Sequence, residues 1–409
     1  MKRPSECLHS SSALRVLMLL SSESFAYRRV NGITSKFSKD ELAKMTPWTA
    51  QQVVFESFFY DTPMMMLLGT QVALFKVYGI TWNLYLFWSS VASLLLQTGE
   101  LKSPDTINKR LADTSILIAT FLSNPLVGAG YETGSDDPRA AIAIARINYL
   151  HRKYPISNDD FLYNLALFML EPIRWTARFD WRPHSPIELV QAIFVLWTEA
   201  GRRMGIKDIW SSYEEMEEWV ENYEEVNMVP SAASAELAHT AINHILARIR
   251  IRSLRPLFFQ LMLTVLDARY PTLIHTLFKT RAFVVRHLRL PRRKPAIRVQ
   301  LDNQYRLDEN GIPRMSAVYQ RRSGPYYFPE KTGFALKVQD FLVRIGWKNA
   351  EKLPGKKWSS EGYRLEELGP VRFKKEGHEQ VMQEAALLQG CPVTGPWASV
   401  REPGDMKGR

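Results

Sequence analysis

Cysteine is nearly absent: the 409 residues hold only Cys7 and Cys391. They lie at opposite ends of the chain and outside any C-x-x-C or C-x-x-C-H context. A disulfide framework is thereby excluded, and zinc binding, dithiol redox work and covalent haem attachment lose support. Also missing are the phosphate-cradling G-x-G-x-x-G and G-x-x-x-x-G-K loops, the G-x-S-x-G elbow and H-E-x-x-H, so nucleotide and hydrolase chemistry have no motif to rest on. Long apolar runs are scarce. Val16–Leu20 is short and follows Arg15, which makes no clear signal peptide or anchor. Val77–Gly99 is uncharged and long enough to span a bilayer, but Thr81, Asn83, Ser89, Ser90 and Ser93 suit it better to a buried core helix. Charge is balanced until near the end, where basic residues are in excess. Residues 1–280 hold 28 basic and 28 acidic side chains and residues 281–409 hold 25 and 14, so the whole net charge of +11 lies in the C-terminal third. Its densest cluster, Arg281, Arg286, Arg289, Arg292, Arg293 and Lys294, is either a solvated tail or a surface for anionic headgroups or nucleic acid.

What is present is core material, 46% hydrophobic and 11% aromatic residues, which rules out global disorder. From Thr46 to Leu290 apolar residues recur three and four apart, the pattern of an all-α domain. Ser157 with Asp160, Ser185 with Pro186 and Glu188, and Ser212 with Glu215 read as helix starts. Gly205 with Lys207–Asp208 reads as a helix stop. After Ser212, Met216, Trp219 and Tyr223 share one face, and the acidic run Glu214–Glu225 lies on the other as a solvated face. Past Pro291 the text turns to proline, glycine and scattered charge, with one amphipathic segment near Phe334–Ile345. The expected organisation is a flexible segment 1–45, a single large helical domain 46–290, and a basic, partly irregular extension 291–409. The first and last are expected to pack weakly, the extension draping over the domain through Tyr326, Tyr327, Phe341, Trp347 and Trp358.

Two kinds of site compete. Glu236–His239 is an E-x-x-H, half of a carboxylate-bridged di-iron site, but the only other copy, Glu6–His9, lies in the loose start, so a structural His239 suffices. More informative is Ala140–Tyr154, where Ile144, Ile147, His151 and Tyr154 fall on one helical face and Arg139, Arg146 and Lys153 on another. His151 then points into apolar surroundings, as a hydrogen-bonded core histidine or as a neutral imidazole able to hold iron. In Ser103–Leu122 the stripe Ile107, Leu111, Thr114, Ile118 and Phe121 is the inward one, and Arg110 borders it. A core-facing arginine needs an anionic partner, either a cofactor carboxylate or Asp113 or Glu100.

The phrases KRLADT (Lys109–Thr114), ARINYLH (Ala145–His151), ISNDDFLYNLALFMLEPIRW (Ile156–Trp175), WRPHSPIE (Trp181–Glu188) and WTEAGRRMGI (Trp197–Ile206) resemble, in that order, the catalytic domain shared by MpaB-type endoplasmic-reticulum-bound oxygenases and latex-clearing proteins. The resemblance covers roughly Thr46–Leu290. It implies an all-α fold around a non-covalent haem b, with His151 as proximal iron ligand and Arg110 and Thr114 as the distal or cofactor-positioning pair. It also implies oxidative cleavage of a carbon–carbon double bond in a hydrophobic, isoprenoid-like substrate by dioxygen. Where latex-clearing proteins carry a lysine before that threonine this chain has Asp113, which implies different distal control and a substrate that need not be rubber. Endoplasmic-reticulum membrane association follows from the family, with peripheral contact left open, and no nucleic-acid partner is expected. The rival readings are a non-catalytic helical protein of lipid surfaces and the di-iron oxidase.

Overall fold

The computed structural model describes residues 45–79, 104–126, 137–182, 191–227, 272–288, 306–307, 312–316, 326–345 and 353–398, with the single positions 32, 246, 253 and 255–256. Glu6–His9, Ser185–Glu188, Glu236–His239, Trp347, the basic positions 289–294 and most of Val77–Gly99 lie outside the described residues. The all-α expectation holds: ten α-helices dominate the described residues, whose β structure is a two-residue antiparallel pairing of Arg306 with Arg314 and Leu307 with Pro313, plus one Met315–Tyr363 bridge.

The helices are α1 (Pro47–Phe55), α2 (Pro63–Gly79), α3 (Pro104–Ser123), α4 (Arg139–His151), α5 (Asn158–Phe179), α6 (Ala192–Arg203), α7 (Tyr213–Asn227), α8 (Thr272–Leu288), α9 (Gly333–Arg344) and α10 (His378–Gln389). By packing they fall into two compact units. One comprises residues 1–85, 159–199 and 208–296, and the other 86–158, 200–207 and 297–409. This division runs differently from the linear one, because the second unit joins the middle of the chain to its C-terminal third.

In the first unit α1 runs into a π-helical turn, Glu56–Asp61. Thr46 caps α1, its hydroxyl accepting from the Thr49 N–H at 3.2 Å. α2 meets α5 at a glycine: a Cβ on Gly69 would stand 2.5 Å from Pro172 Cα and 2.7 Å from the Glu171 carbonyl oxygen. Both obstacles are backbone and cannot swing aside. Gly69→Ala is therefore expected to force the two helices apart and lower stability by about 1–3 kcal/mol, seen as an earlier thermal transition; a transition unchanged from the parent would show that the helices separate freely.

The acidic face of α7 is not simply solvated. Lys76 on α2 meets Glu171 and Glu224, each at 3.0 Å, and the Tyr163 hydroxyl donates to Glu224 at 2.8 Å. Arg174 reaches Glu217 at 2.8 Å. Half-buried cations on α2 and α5 thus use two of the seven glutamates to bind α7 in place. The Ser212–Glu215 start is confirmed as a reciprocal cap, the Glu215 N–H donating to Ser212 Oγ at 3.1 Å and the Ser211 N–H to Glu215 Oε2 at 2.8 Å. The stop at Gly205 is a Schellman turn. With φ +76° at Gly205, the Ile206 N–H bonds the Gly201 carbonyl and the Gly205 N–H that of Arg202, both at 3.0 Å.

In the second unit α4 packs against α3 on one side and α10 on another. Weak packing of the extension does not hold for Tyr326, Tyr327 and much of residues 353–390, although α9 is largely exposed. Tyr326, Tyr327, Trp358, Tyr363, Leu365, Leu368, Val381 and Ala385 are all buried, while Phe341 is exposed. Burial of this apolar surface repays ordering an otherwise irregular chain.

Candidate functional site

The candidate residues all belong to the second unit. α4 is the centre of it: Ala140 to Ala145 are buried without a break, and His151 ends the helix. Tyr154, expected on the same face, lies past the helix end, and its hydroxyl accepts from Arg372 at 2.7 Å. His151 itself is partly buried. Loss of solvent and the nearby charge of Arg110 hold its imidazole down at about 4, so it is neutral at physiological pH.

Arg110 and Thr114 sit one turn apart on α3, both partly buried. Neither donates a hydrogen bond to another described residue, and Arg110 forms no ion pair with one. The structure thus brings Arg110 within electrostatic reach of His151, and Thr114 shares its helix. Ile107 and Phe121 of the expected inward stripe of α3 are buried, but between them the buried stripe is shifted. It runs through Lys109, Ala112, Asp113, Ile116 and Thr120, leaving Leu111, Thr114 and Ile118 at its margin.

Asp113 explains the shift. It was one anticipated partner for Arg110, but its carboxylate is taken by Lys109 Nζ at 2.6 Å, the Tyr327 hydroxyl at 2.7 Å and the Gly369 N–H at 3.0 Å. Lys109 also donates to the Gly369 carbonyl at 2.6 Å. Burial pushes the Asp113 carboxyl upward, against the pull of Lys109 and these hydrogen bonds. With φ +118° and the Leu150 side chain 2.7 Å from where a Cβ would stand, residue 369 has to be glycine to reach this pair.

A second anchor was missed altogether. Arg146, expected on a basic face with Arg139 and Lys153, is fully buried, and burial lowers its affinity for its proton. Its guanidinium donates to the carbonyls of Leu368 at 2.7 Å, Phe373 at 2.7 Å and Glu376 at 2.9 Å. Beside it Gly377, at φ +72°, lies against the Tyr149 ring, which a Cβ would meet at 2.2 Å. Asn148 donates to the Arg203 carbonyl at 3.0 Å and to Glu384 on α10 at 2.7 Å. The last two turns of α4, which present His151, are thus fixed by residues 203 and 368–384.

Among the described residues no group of three His, Cys, Asp or Glu side chains is placed to hold a metal ion. A haem needs less from the protein, one neutral imidazole with cations or donors for its carboxylates. His151 with Arg110 and Thr114 is a donor set of that kind.

Comparison with known proteins gives the class. Residues 81–290 match the family described as ER-bound oxygenase mpaB/B'/Rubber oxygenase, catalytic domain. The chain belongs to this family and is an oxidoreductase of the oxygenase kind, acting on a small molecule with dioxygen. It is 28% identical over 400 aligned residues to "ER-bound oxygenase mpaB'" of Penicillium brevicompactum, covering 87% of this chain and 86% of that protein. It is 33% identical over 237 residues to "ER-bound oxygenase mpaB" of Penicillium roqueforti, covering 53% of this chain and 74% of that protein. No solved structure matches. The family span ends at the residue where the sequence resemblance ends, Leu290, so the segment that clamps α4 lies beyond it.

Proposed function

We propose that this chain is a haem b-dependent oxygenase that uses dioxygen to cleave a carbon–carbon double bond in a hydrophobic, isoprenoid-like substrate at the endoplasmic-reticulum membrane. The observation that supports it most is that a charge-suppressed His151 lies within electrostatic reach of Arg110, a cation with no ion-pair partner among the described residues. Bound haem supplies an iron centre that binds and activates dioxygen. His151 would hold the iron through an imidazole that is neutral at physiological pH. Arg110, a partly buried cation without a described counter-ion, would gain one in a haem propionate or steady negative charge on bound dioxygen. Thr114 offers a hydroxyl one turn further along α3. The carboxylate of its neighbour Asp113 is already bonded by Lys109, Tyr327 and Gly369. The names of the relatives support the membrane setting.

The test is the absorption spectrum and iron content of the purified full chain. One haem per chain, with an intense near-ultraviolet haem band, is expected. Protein that stays colourless after haem addition would sink the reading, and non-haem iron in its place would favour Glu236 and His239.

A further inference from the structure

α9 leaves an apolar stripe uncovered. Phe334, Val338 and Phe341, with Ile345 just after the helix, follow one another at spacings of four, three and four, which puts all four on one line. Their exposures are 82, 39, 60 and 54%, while Gln339 on another face is buried. A folded chain buries phenylalanine before most other side chains, so two this exposed on one stripe mark a surface made for contact.

Charge says what the contact is. Lys337 and Arg344 flank the stripe and Lys331 precedes it, all exposed. From Lys331 to Lys357 the sequence holds seven basic residues against two acidic ones. An apolar line with a cationic border is the form of a helix lying in a membrane interface, its apolar side in the acyl boundary and its cations on lipid phosphates. No helix among the described residues is long and apolar enough to cross a membrane. An attachment made by them therefore lies on the bilayer surface.

We propose that α9 is a membrane-docking helix, which seats Phe334, Val338, Phe341 and Ile345 in an anionic bilayer while Lys331, Lys337 and Arg344 meet its phosphates. This rests on the reading that the chain works at a membrane and is independent of haem. A hydrophobic substrate concentrates in the same bilayer.

The test is co-sedimentation of the full-length protein with phosphatidylcholine vesicles, with and without phosphatidylserine. Binding is expected to favour the anionic vesicles and to weaken with salt. Phe334→Ser/Phe341→Ser should lower the partition coefficient about a hundredfold, roughly tenfold per phenylalanine, with thermal unfolding and haem content unchanged. Because another segment can also hold vesicles, a second chain carries Cys7→Ser, Cys391→Ser and Phe341→Cys with an environment-sensitive dye on the new thiol. Its emission should shift to the blue on adding anionic vesicles. The proposal is overturned if the dye does not respond, if the double serine variant co-sediments with anionic vesicles as the parent does, or if the parent is a dimer that this variant dissociates, which makes the stripe a contact between copies.

Discussion

Replacing Arg146 by methionine should lower the stability of the second unit by about 3–5 kcal/mol, because three backbone carbonyls lose a charged donor at once. Two effects oppose each other. Burying a guanidinium is costly, as its depressed proton affinity shows, and methionine removes that cost while filling most of the volume. Against this stand the orphaned carbonyls of Leu368, Phe373 and Glu376, each otherwise bonded at 2.7–2.9 Å. Three lost charge-assisted bonds, at about 1.5–3 kcal/mol each, exceed the relief. For a unit of this size the thermal midpoint should drop by about 10 °C. Arg146→Lys should recover only part of the loss, since one ammonium cannot reproduce the fork that serves three acceptors. Limited proteolysis should cut first within residues 368–376 in either variant. A methionine variant within about 1 kcal/mol of the parent would mean that the C-terminal segment docks through its apolar residues alone.

Local devices in this protein could be read from sequence, and long-range ones could not. The cap at Ser212–Glu215 and the Schellman turn at Gly205 depend on residues within five positions of one another, and both stand as expected. Tyr154 was misplaced although its signal was present. Pro155 disfavours helical geometry at the residue before it, so α4 had to end short of Tyr154. Arg146 shows the opposite case. Helical periodicity puts it on a face, but whether that face is wet depends on partners 222–230 residues away. The same holds for Asp113, whose i,i+4 relation to Lys109 was legible while Tyr327 and Gly369, 214 and 256 residues on, were not. The family phrases located His151, Arg110 and Thr114. They carried no information on the C-terminal clamp, which lies past the last of them.

The clamp bears on the site because Arg146, Asn148, Tyr149 and Leu150 immediately precede His151 on α4 and all touch it. Loosening it should cost haem even though no clamp residue is a candidate ligand, so Arg146→Met should lose haem on mild heating where the parent keeps it. The direct case is His151→Ala. If this imidazole is the iron's ligand, haem content and oxygen consumption should fall together, by at least tenfold, while the helical circular-dichroism signal persists. The expected cost in stability is modest, on the order of 1–3 kcal/mol for a buried histidine truncated to alanine. Free imidazole should restore part of the haem band in this variant, since it refills the void with the missing ligand. A merely structural histidine would show no such rescue. Arg110→Ala should behave differently, weakening haem retention with the iron's histidine signature intact, because it removes a counter-charge and leaves the ligand. His287→Ala serves as the control, taking an imidazole from α8 in the other unit. Full haem in His151→Ala, or equal loss in His287→Ala, would reject His151 as the ligand and send the search to another histidine.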